Sequence, residues 1–213
     1  MTEPDFVRAR RPEHKQQRRA AILDAARELA RRDGVRSVSL AGVAAAVGFA
    51  KSNVTRYFGT REEIYLELTA ECWRDWEQAV LARIPEAGPV EALVETVAER
   101  PLFCDLLSQV TITLEHNVSV PAAREFKRGL HGIIRSVGAA VAAHSELTES
   151  EGIELVTAAG ALAGLLYAAA NPSATMRELY AQEPEIAAMV PTFEPTLKRA
   201  LAALVAGMPS LRA

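Results

Sequence analysis

The feature that most constrains the fold is a repeated apolar spacing on either side of a glycine within residues 39–58. Apolar residues recur three or four positions apart, as they do on one face of a helix: Leu40, Val43, Val47, Val54 and Phe58. Gly48 lies between the two groups, where a tight turn favours a residue that adopts positive φ. Ser39 precedes the first group and has the side chain of a helix N-cap. The stretch therefore predicts a short helix, a turn and a second short helix.

The second helix of this pair carries polar side chains away from its apolar face. Ser52, Asn53 and Arg56 share that outer face and offer hydrogen-bond donors and a positive charge. A helix this short fits the major groove of DNA. An amphipathic hairpin with a solvated polar face would show the same pattern, so this stretch alone leaves both interpretations open.

Residues on both sides of the hairpin carry a wider resemblance. From residue 18 to residue 64 the chain resembles the N-terminal domain of TetR-family transcriptional repressors, at Ile22, Ala25, Ala26, Leu29, Gly34, Ser39, Val43, Ala44, Gly48, Lys51, Tyr57, Phe58, Arg61, Glu62 and Ile64. Three residues depart from the family pattern. Ala50 replaces a Ser or Thr N-cap, whose loss costs about 1 kcal/mol; Thr55 replaces a common tyrosine, and Gly42 a polar residue. The resemblance implies an all-α protein, with an N-terminal three-helix helix-turn-helix domain and a larger helical domain for ligand binding and dimerisation.

The candidates for DNA contacts lie in and around the second short helix. Asn53 is the candidate for bidentate recognition of adenine, and Arg56 for guanine. The side chains expected to face the major groove are Lys51, Ser52, Asn53, Thr55, Arg56 and Tyr57. Those expected to position the phosphate backbone are Lys51, Tyr57, Thr60 and Arg61, and Ser39 completes the predicted interface.

The charge distribution agrees with a nucleic-acid-binding N-terminal part. Residues 1–61 hold 13 Lys and Arg against 6 Asp and Glu, a net of +7, whereas the remaining residues have a net of −10. Within residues 1–12, Arg8, Arg10 and Arg11 form a predicted basic, flexible arm that reaches along DNA. A mobile tail without a role is the alternative.

Prolines divide the chain into predicted helices. None occurs between Pro12 and Pro85, which favours long helices over residues 13–33 and 61–84, the second of them stopping before Pro85. Beyond Pro85 the predicted helical segments are residues 90–100, 101–118, 121–145, 148–170, 174–182, 185–190 and 193–207.

Local signals and the resemblance together define the domains. Thr60 and Glu63 form a T-x-x-E capping box before the helix over residues 61–84. Residues 110–114 alternate like a strand but have no partner strand, so we assign them to a helix. The predicted divisions are the arm (1–12), the helix-turn-helix domain (13–60), a connecting helix (61–84) and a ligand-binding and dimerisation domain (85–213).

Residues 155–170 form an uncharged, almost wholly apolar run. Its 16 residues are fewer than the about 20 that span a bilayer, and Glu154 directly precedes it, so we predict no membrane span. Such a helix must be covered on every side, either within one chain or by a second chain. The resemblance implies a dimer through a four-helix bundle of two late helices per subunit. The residues predicted for that interface are Leu155, Ala159, Gly160, Ala163, Gly164, Phe193, Leu197, Leu201 and Leu204.

The resemblance also implies a small-molecule cavity among the middle helices of the second domain. Apolar and aromatic side chains there suit a small apolar or aromatic effector, although core packing is the alternative role for each. The candidates are Trp73, Phe103, Leu107, Thr111, His116, Phe126, Leu130, Ile134 and Tyr167.

The sequence offers no recognisable catalytic or metal site. It contains no G-x-S-x-G, glycine-rich phosphate loop or H-E-x-x-H motif, and its separated histidines match no zinc spacing. Cys72 and Cys104 form no disulfide framework and suit a reducing cytoplasm. We therefore expect no enzyme activity, no cofactor and no metal, and a location in the cytoplasm with the nucleoid.

These observations predict a ligand-responsive repressor that binds palindromic double-stranded DNA as a homodimer, without membrane contact. The alternative is a scaffold of the same fold that binds a protein partner instead of specific DNA. It would show only weak, electrostatic DNA binding, and the uncapped helix start at Ala50 is the feature that favours it.

Overall fold

The structure is a computed structural model that describes the backbone of residues 5–212 and the side chains of residues 14–212. Every regular element in that part of the chain is helical, which confirms the predicted all-α fold. The α-helices are α1 (Asp5–Asp33), α2 (Leu40–Ala46), α3 (Lys51–Val54), α4 (Arg61–Ala87), α5 (Pro89–Ala98), α6 (Pro101–Gln109), α7 (Val120–Ala143), α8 (Glu149–Ala170), α9 (Ala174–Gln182), α10 (Pro184–Ala187) and α11 (Phe193–Gly207). Short turns of other helical types occur at Val35–Ser37 (3₁₀), Val110–Leu114 (π) and Met208–Leu211 (3₁₀).

Helices α1, α2, α3 and the beginning of α4 form the N-terminal domain around a shared apolar core. Ile22 of α1, Val43 of α2 and Val54 of α3 are fully buried. Gly48 has φ of 68°, which confirms the predicted glycine turn, and Gly34 after α1 also has a positive φ, of 79°.

Side-chain caps define several helix starts as the sequence predicts. The Ser39 hydroxyl accepts a hydrogen bond from the Gly42 amide at 3.0 Å at the start of α2. Helix α1 ends at Asp33 as expected, but it begins at Asp5 rather than at residue 13. The predicted basic arm, residues 1–12 with Arg8, Arg10 and Arg11, lies outside the residues whose side chains are described.

Helix α4 connects the N-terminal domain to the rest of the molecule. It continues through Pro85 to Ala87, so the prediction that it stops before Pro85 is wrong. A proline in the last turn removes only one backbone hydrogen bond. The helix ends instead at Gly88, which has φ of 82° and donates its amide to the Ile84 carbonyl at 2.9 Å.

Helix α8 is the centre of the C-terminal domain, in contact with α6, α7 and α11. Glycines allow two of these helices to approach it closely. A Cβ atom at Gly152 would lie 2.3 Å from the Gly138 carbonyl oxygen of α7, and a Cβ at Gly164 would lie 2.8 Å from the Leu107 backbone of α6. Helix α8 is long and apolar enough to pass as a membrane span by length and composition, yet one face of it belongs to this core.

Six of the nine residues predicted for the dimer interface are buried inside the single chain and so are not available to a partner subunit. Leu155, Ala159, Ala163, Gly164, Leu197 and Leu201 are buried. Gly160 lies against the Trp73 ring, Phe193 against the Tyr167 ring, and Leu204 packs on the core. Because α8 is apolar on every side, its sequence does not show which side faces inward.

The face of α8 that does point outward is also apolar. Ala161, Leu165 and Ala168 are exposed, and the Leu165 side chain is 67% exposed. On α11 the exposed residues include Ala202, Ala203 and Ala206. Two apolar surfaces on neighbouring helices are therefore uncovered in the single chain.

The segment between α6 and α7 begins with a helical turn, although its alternating sequence pattern is typical of a strand. Val110–Leu114 forms a π-helical turn, so its assignment to a helix is confirmed, but the helical segment ends there rather than at residue 118. The loop that follows reaches the start of α4, where the Thr60 hydroxyl donates to the Asn117 carbonyl at 2.7 Å.

Candidate nucleic-acid interface and ligand cavity

The polar face predicted for α3 is exposed. Lys51, Ser52, Asn53 and Arg56 all point to solvent, while Val54 is buried. Neither Lys51 nor Arg56 has an ion pair with any described side chain, so both positive charges are available to a ligand. The exposed Thr55 donates its hydroxyl to the Ser52 carbonyl at 2.9 Å, which leaves the oxygen able to accept another hydrogen bond.

Helix α3 consists of a single turn, and a hydrogen-bonded turn at residues 55–57 follows it. Ala50 has no side-chain hydrogen bond to cap it, as the sequence indicates. The chain continues into a turn in which the amides of Tyr57 and Phe58 donate to the Val54 carbonyl at 2.9 and 3.0 Å. Burial of Val54 and Phe58, rather than a cap, therefore holds this helix in place.

A basic cleft of about 260 Å³ lies between α1 and α3. It is lined by Lys15, Arg18, Phe49, Asn53, Arg56 and Tyr57. The described lining residues contribute three positive charges and no carboxylate, and the Arg18 guanidinium lies 5.9 Å from the centroid of the Phe49 ring. Such a cleft suits a phosphate group. Sequence reasoning missed Lys15 and Arg18, because the long polar start of α1 does not reveal which of its side chains turn towards α3.

The start of α4 is occupied by protein groups, which corrects the phosphate contacts predicted there. Arg61 points inward, where its Nε and Nη2 donate to the carbonyls of Val38 and Val35 and its guanidinium lies 4.8 Å from the Tyr65 ring centroid. The Thr60 hydroxyl accepts from the Glu63 amide at 3.1 Å and donates to the Asn117 carbonyl. Both side chains satisfy backbone groups of the protein and are not free for DNA.

Glu63 links the same helix start to α7. Its carboxylate accepts from the Gly59 amide at 2.8 Å and from the Ser119 amide at 2.9 Å, so the reciprocal bond to Thr60 in the predicted capping box does not form. Burial alone would raise the pKa of Glu63, but the two amides together hold it below its usual value. The first turns of α4 and α7 are therefore joined through one carboxylate.

Arg19 of α1 connects α4 to residues 51–58, which comprise α3 and the turn after it and which we call the recognition region. Its Nη1 donates to the Tyr57 carbonyl at 2.9 Å, at the end of the turn after α3. Its Nε donates to Glu67 Oε1 at 3.2 Å, and its Nη2 pairs with the other oxygen of the same carboxylate. The guanidinium also lies 4.2 Å from the centroid of the Phe58 ring. One side chain of α1 thus contacts both the turn after α3 and α4.

A cavity of about 590 Å³ lies between α4 and α7 and extends to the N-terminal domain. Its lining consists of Arg19, Tyr57, Phe58, Glu63, Leu66, Glu67, Ala70, Trp73, Arg74, Glu77, Ala122, Glu125, Phe126, Arg128, Gly129, Leu130, Gly132 and Ile133. Two glycines of α7 border open space, since a Cβ atom at Gly129 or Gly132 would meet nothing within 4 Å. Its volume is in the range of small-molecule sites.

Three of the predicted pocket residues line this cavity and six do not. Trp73, Phe126 and Leu130 line it. Phe103 is buried in the core, with its ring centroid 5.1 Å from that of Trp73, and Tyr167 packs on Phe193. Thr111 and His116 are exposed, and Leu107 and Ile134 pack on the core elsewhere. Sequence reasoning missed the charged lining residues, because only the fold shows that the N-terminal domain forms one end of the cavity.

Two family models cover nearly all of the described chain. The model described as "Bacterial regulatory proteins, tetR family" matches residues 22–68, and the one described as "Tetracyclin repressor-like, C-terminal domain" matches residues 70–211. The chain belongs to the TetR family. It is therefore a transcriptional regulator with a DNA-binding helix-turn-helix domain and a ligand-binding domain, as the resemblance implies.

Solved structures of TetR-family proteins share the fold. FadR from Thermus thermophilus, in complex with lauroyl-CoA, is 19% identical over 92% of this chain and 97% of its own, with a TM-score of 0.56. The multidrug binding protein EbrR, complexed with imidazole, is 19% identical over 88% and 94%, with a TM-score of 0.53. FadR from Bacillus subtilis, in complex with stearoyl-CoA, is 17% identical over 88% and 98%, with a TM-score of 0.51. No curated protein sequence matches the chain.

The two cysteines of this TetR-family regulator are free thiols, and Cys104 is buried. No group of three or more His, Cys, Asp or Glu in the described residues is arranged to hold a metal ion. Burial raises the pKa of the Cys72 thiol to about 11 and that of the Cys104 thiol to about 12, so both are protonated at neutral pH. TetR-family regulators are generally transcription factors without enzyme activity.

Proposed function

We propose that this TetR-family regulator is a ligand-responsive repressor that binds a palindromic operator as a homodimer and its effector in the cavity between α4 and α7. The observation that carries the proposal is the exposed polar face of α3 beside the basic cleft. This arrangement supports α3 as the recognition helix and the cleft beside it as a surface for backbone phosphates.

The DNA contacts divide into base recognition and backbone positioning. Asn53 presents an amide suited to bidentate bonding with adenine, and Arg56 presents a guanidinium suited to guanine. Lys51 contacts the backbone beside the groove. Lys15 and Arg18 replace Thr60 and Arg61 as the phosphate contacts, because their charges face the cleft while Arg61 is bonded inside the protein.

The homodimer forms through the uncovered apolar faces of α8 and α11. Leu165, at 67% exposure, lies at the middle of the α8 face, with Ala161 and Ala168 one turn away on either side. An isologous contact of this kind presents two recognition helices to one side of a duplex. Half-sites about 34–36 Å apart, one turn of DNA, are the geometry expected of such a dimer.

The effector is a small amphipathic molecule. Leu66, Trp73, Phe126 and Ile133 supply apolar and aromatic surface to the cavity, and charged side chains surround them. Structures of the same fold hold lauroyl-CoA and stearoyl-CoA, which supports an elongated ligand of this kind. Effector binding then lowers operator affinity because the two ligands favour different conformations.

The experiment that tests the proposal is a selection of bound sequences from random duplex DNA, followed by a salt titration with the selected site. We expect a palindrome with half-sites one turn apart and a specific affinity that remains at salt concentrations that abolish non-specific binding. Binding without sequence preference, lost uniformly as salt rises, would contradict the proposal and favour a protein-binding scaffold.

A further inference from the structure

The cavity between α4 and α7 has two chemically different ends. Ser119 at the start of α7 bonds Glu63 at the start of α4, so the two helices run in the same direction from the N-terminal domain. We call the part next to that domain the head end; it is lined by Arg19, Tyr57, Phe58, Glu63, Glu67 and Glu125. The far end, further along both helices, contains Arg74, Glu77 and Arg128.

Negative charge exceeds positive charge at the head end. Among the described residues that line this end, Glu63, Glu67 and Glu125 face one cation, Arg19. Glu63 is already bonded to two backbone amides, and Glu125 has no hydrogen bond or ion pair among the described side chains. Glu67 is more than half covered by protein; its burial, together with the charges of Glu71 and Glu125, raises its pKa despite Arg19.

Aromatic rings border the same end. Phe58 is already in contact with the Arg19 guanidinium, and Tyr57, Trp73 and Phe126 also line the cavity. Aromatic faces attract cations, most strongly where water is displaced. Aromatic surface beside excess carboxylate is the chemistry that recognises an organic cation attached to an apolar body.

We propose that the effector places a positively charged group against Glu67 at the head end, where it displaces Arg19, so that the recognition region responds to occupancy directly. The proposal rests on the proposed function and adds two points to it. These are the charge of the effector and the residue, Arg19, through which effector binding affects the DNA-binding domain. The far-end cations Arg74 and Arg128 are compatible with a polar or anionic group at the other end of the same molecule.

Displacement changes the DNA-binding domain because Arg19 is shared. The same guanidinium that pairs with Glu67 also bonds the Tyr57 carbonyl and stacks on Phe58. When a ligand cation occupies Glu67, Arg19 loses its bidentate partner, and the contact that holds the turn after α3 is weakened. The ligand therefore binds best to a state in which the recognition helix is less fixed, and binding shifts the population towards that state.

The binding part is tested on the full-length protein with two amphiphiles of the same chain length, dodecylammonium and dodecanoate, each below its micelle concentration. Trp73 lines the cavity, so binding is followed by tryptophan fluorescence. We expect dodecylammonium to bind more tightly, and Glu67→Gln to weaken it about tenfold, as the loss of one charge-assisted interaction predicts. Glu28→Gln, which removes an exposed carboxylate of α1 outside the cavity, is the matched control and leaves the affinity unchanged within about twofold.

Three binding results would overturn the proposal: dodecanoate binding as tightly as dodecylammonium, an unchanged affinity in Glu67→Gln, or no binding of either amphiphile. These measurements contain no DNA. A wild-type protein that selects no operator would contradict the proposed function, while the charge preference of the cavity would still be decided separately.

The coupling part is tested with Arg19→Lys, which keeps the charge but cannot bond Glu67 and the Tyr57 carbonyl with one planar group. We expect this variant to bind dodecylammonium at least as well as wild type but to lose most of the dodecylammonium-induced release of the selected operator, measured by fluorescence anisotropy. Operator release equal to that of the wild type would show that occupancy reaches the DNA-binding domain without Arg19 and would overturn the coupling.

Discussion

The Asp105 carboxylate of α6 accepts a hydrogen bond from the Val35 amide at 2.7 Å. Val35 begins the 3₁₀ turn after α1, so this bond joins the C-terminal domain to the N-terminal domain at a point far along the chain from the α4 connection. Arg61 bonds the carbonyl of the same residue. Both backbone groups of Val35 are thus satisfied by side chains from other helices.

Asp105→Ala is expected to destabilise the fold by about 1–3 kcal/mol, because it leaves the buried Val35 amide without a partner. Asp105→Asn keeps an acceptor oxygen and is the matched control, with a free energy of unfolding close to that of the wild type. Urea denaturation followed by circular dichroism measures both. Equal stabilities for the Ala and Asn variants would show that the hydrogen bond contributes nothing.

The difference in stability between Asp105→Asn and the wild type should also depend on pH. Burial raises the pKa of Asp105 above its usual 3.8, against the opposing effect of the Val35 amide. A carboxyl whose pKa is higher in the folded state loses stability as pH rises through the interval between its unfolded and folded pKa values. The stability of Asp105→Asn relative to wild type should therefore be greatest at neutral pH and decrease as pH falls towards 3.8. A difference that grows on acidification would contradict the sign.

If the proposed dimer forms through α8, Leu165→Glu should convert it to monomers, because the substitution places a charge at the middle of the exposed face of α8. Leu211→Glu, at another exposed leucine, is the control and should remain dimeric. Light scattering gives the mass, and circular dichroism confirms that the monomer is still helical. Gly164 is unsuitable for this test, since any side chain there meets the Leu107 backbone inside the chain. A dimeric Leu165→Glu protein would exclude this face.

Arg56→Ala should relax sequence preference at one base position of each half-site and cost about 1–3 kcal/mol of operator affinity. Lys15→Ala or Arg18→Ala should instead weaken binding to all sequences and reduce the salt slope by about one. Anisotropy titrations against a half-site library at several salt concentrations separate these effects. Unchanged selectivity in Arg56→Ala would exclude it from the groove.

Gly129→Leu should block the cavity, because a side chain at this position projects into empty space rather than into the core. The substitution also removes a helix-interior glycine, so stability should rise by up to about 1 kcal/mol. Binding of dodecylammonium should be lost while operator affinity is retained. Ser136→Leu, at an exposed position of the same helix outside the cavity, should bind normally. Normal amphiphile binding in Gly129→Leu would place the site elsewhere.

The parts of this structure that depend on local chemistry were predictable from sequence. Ser39 and Thr148 cap helices and Gly34 ends one, because capping needs only a few neighbouring residues. The burial of Val54 and Phe58 followed from their spacing. These features, with the family resemblance, were enough for the all-α fold.

The sequence predictions that failed concern the direction in which a side chain or a helix face points, not the type of residue or element. Arg61 was correctly recognised as a cation at a helix start, but the backbone carbonyls that turn it inward belong to a distant segment. The inward face of α8 could not be read from a helix that is apolar all round. The charged end of the cavity combines residues of α1, α4 and α7, and no local pattern connects them.

The hydrogen bonds of Glu63 have a consequence for how a molecule reaches the cavity. One carboxylate holds Gly59 and Ser119 together, so the two walls cannot separate there unless these bonds break. Any widening of the cavity that leaves these bonds intact is therefore confined to the part further along α4 and α7, away from Glu63.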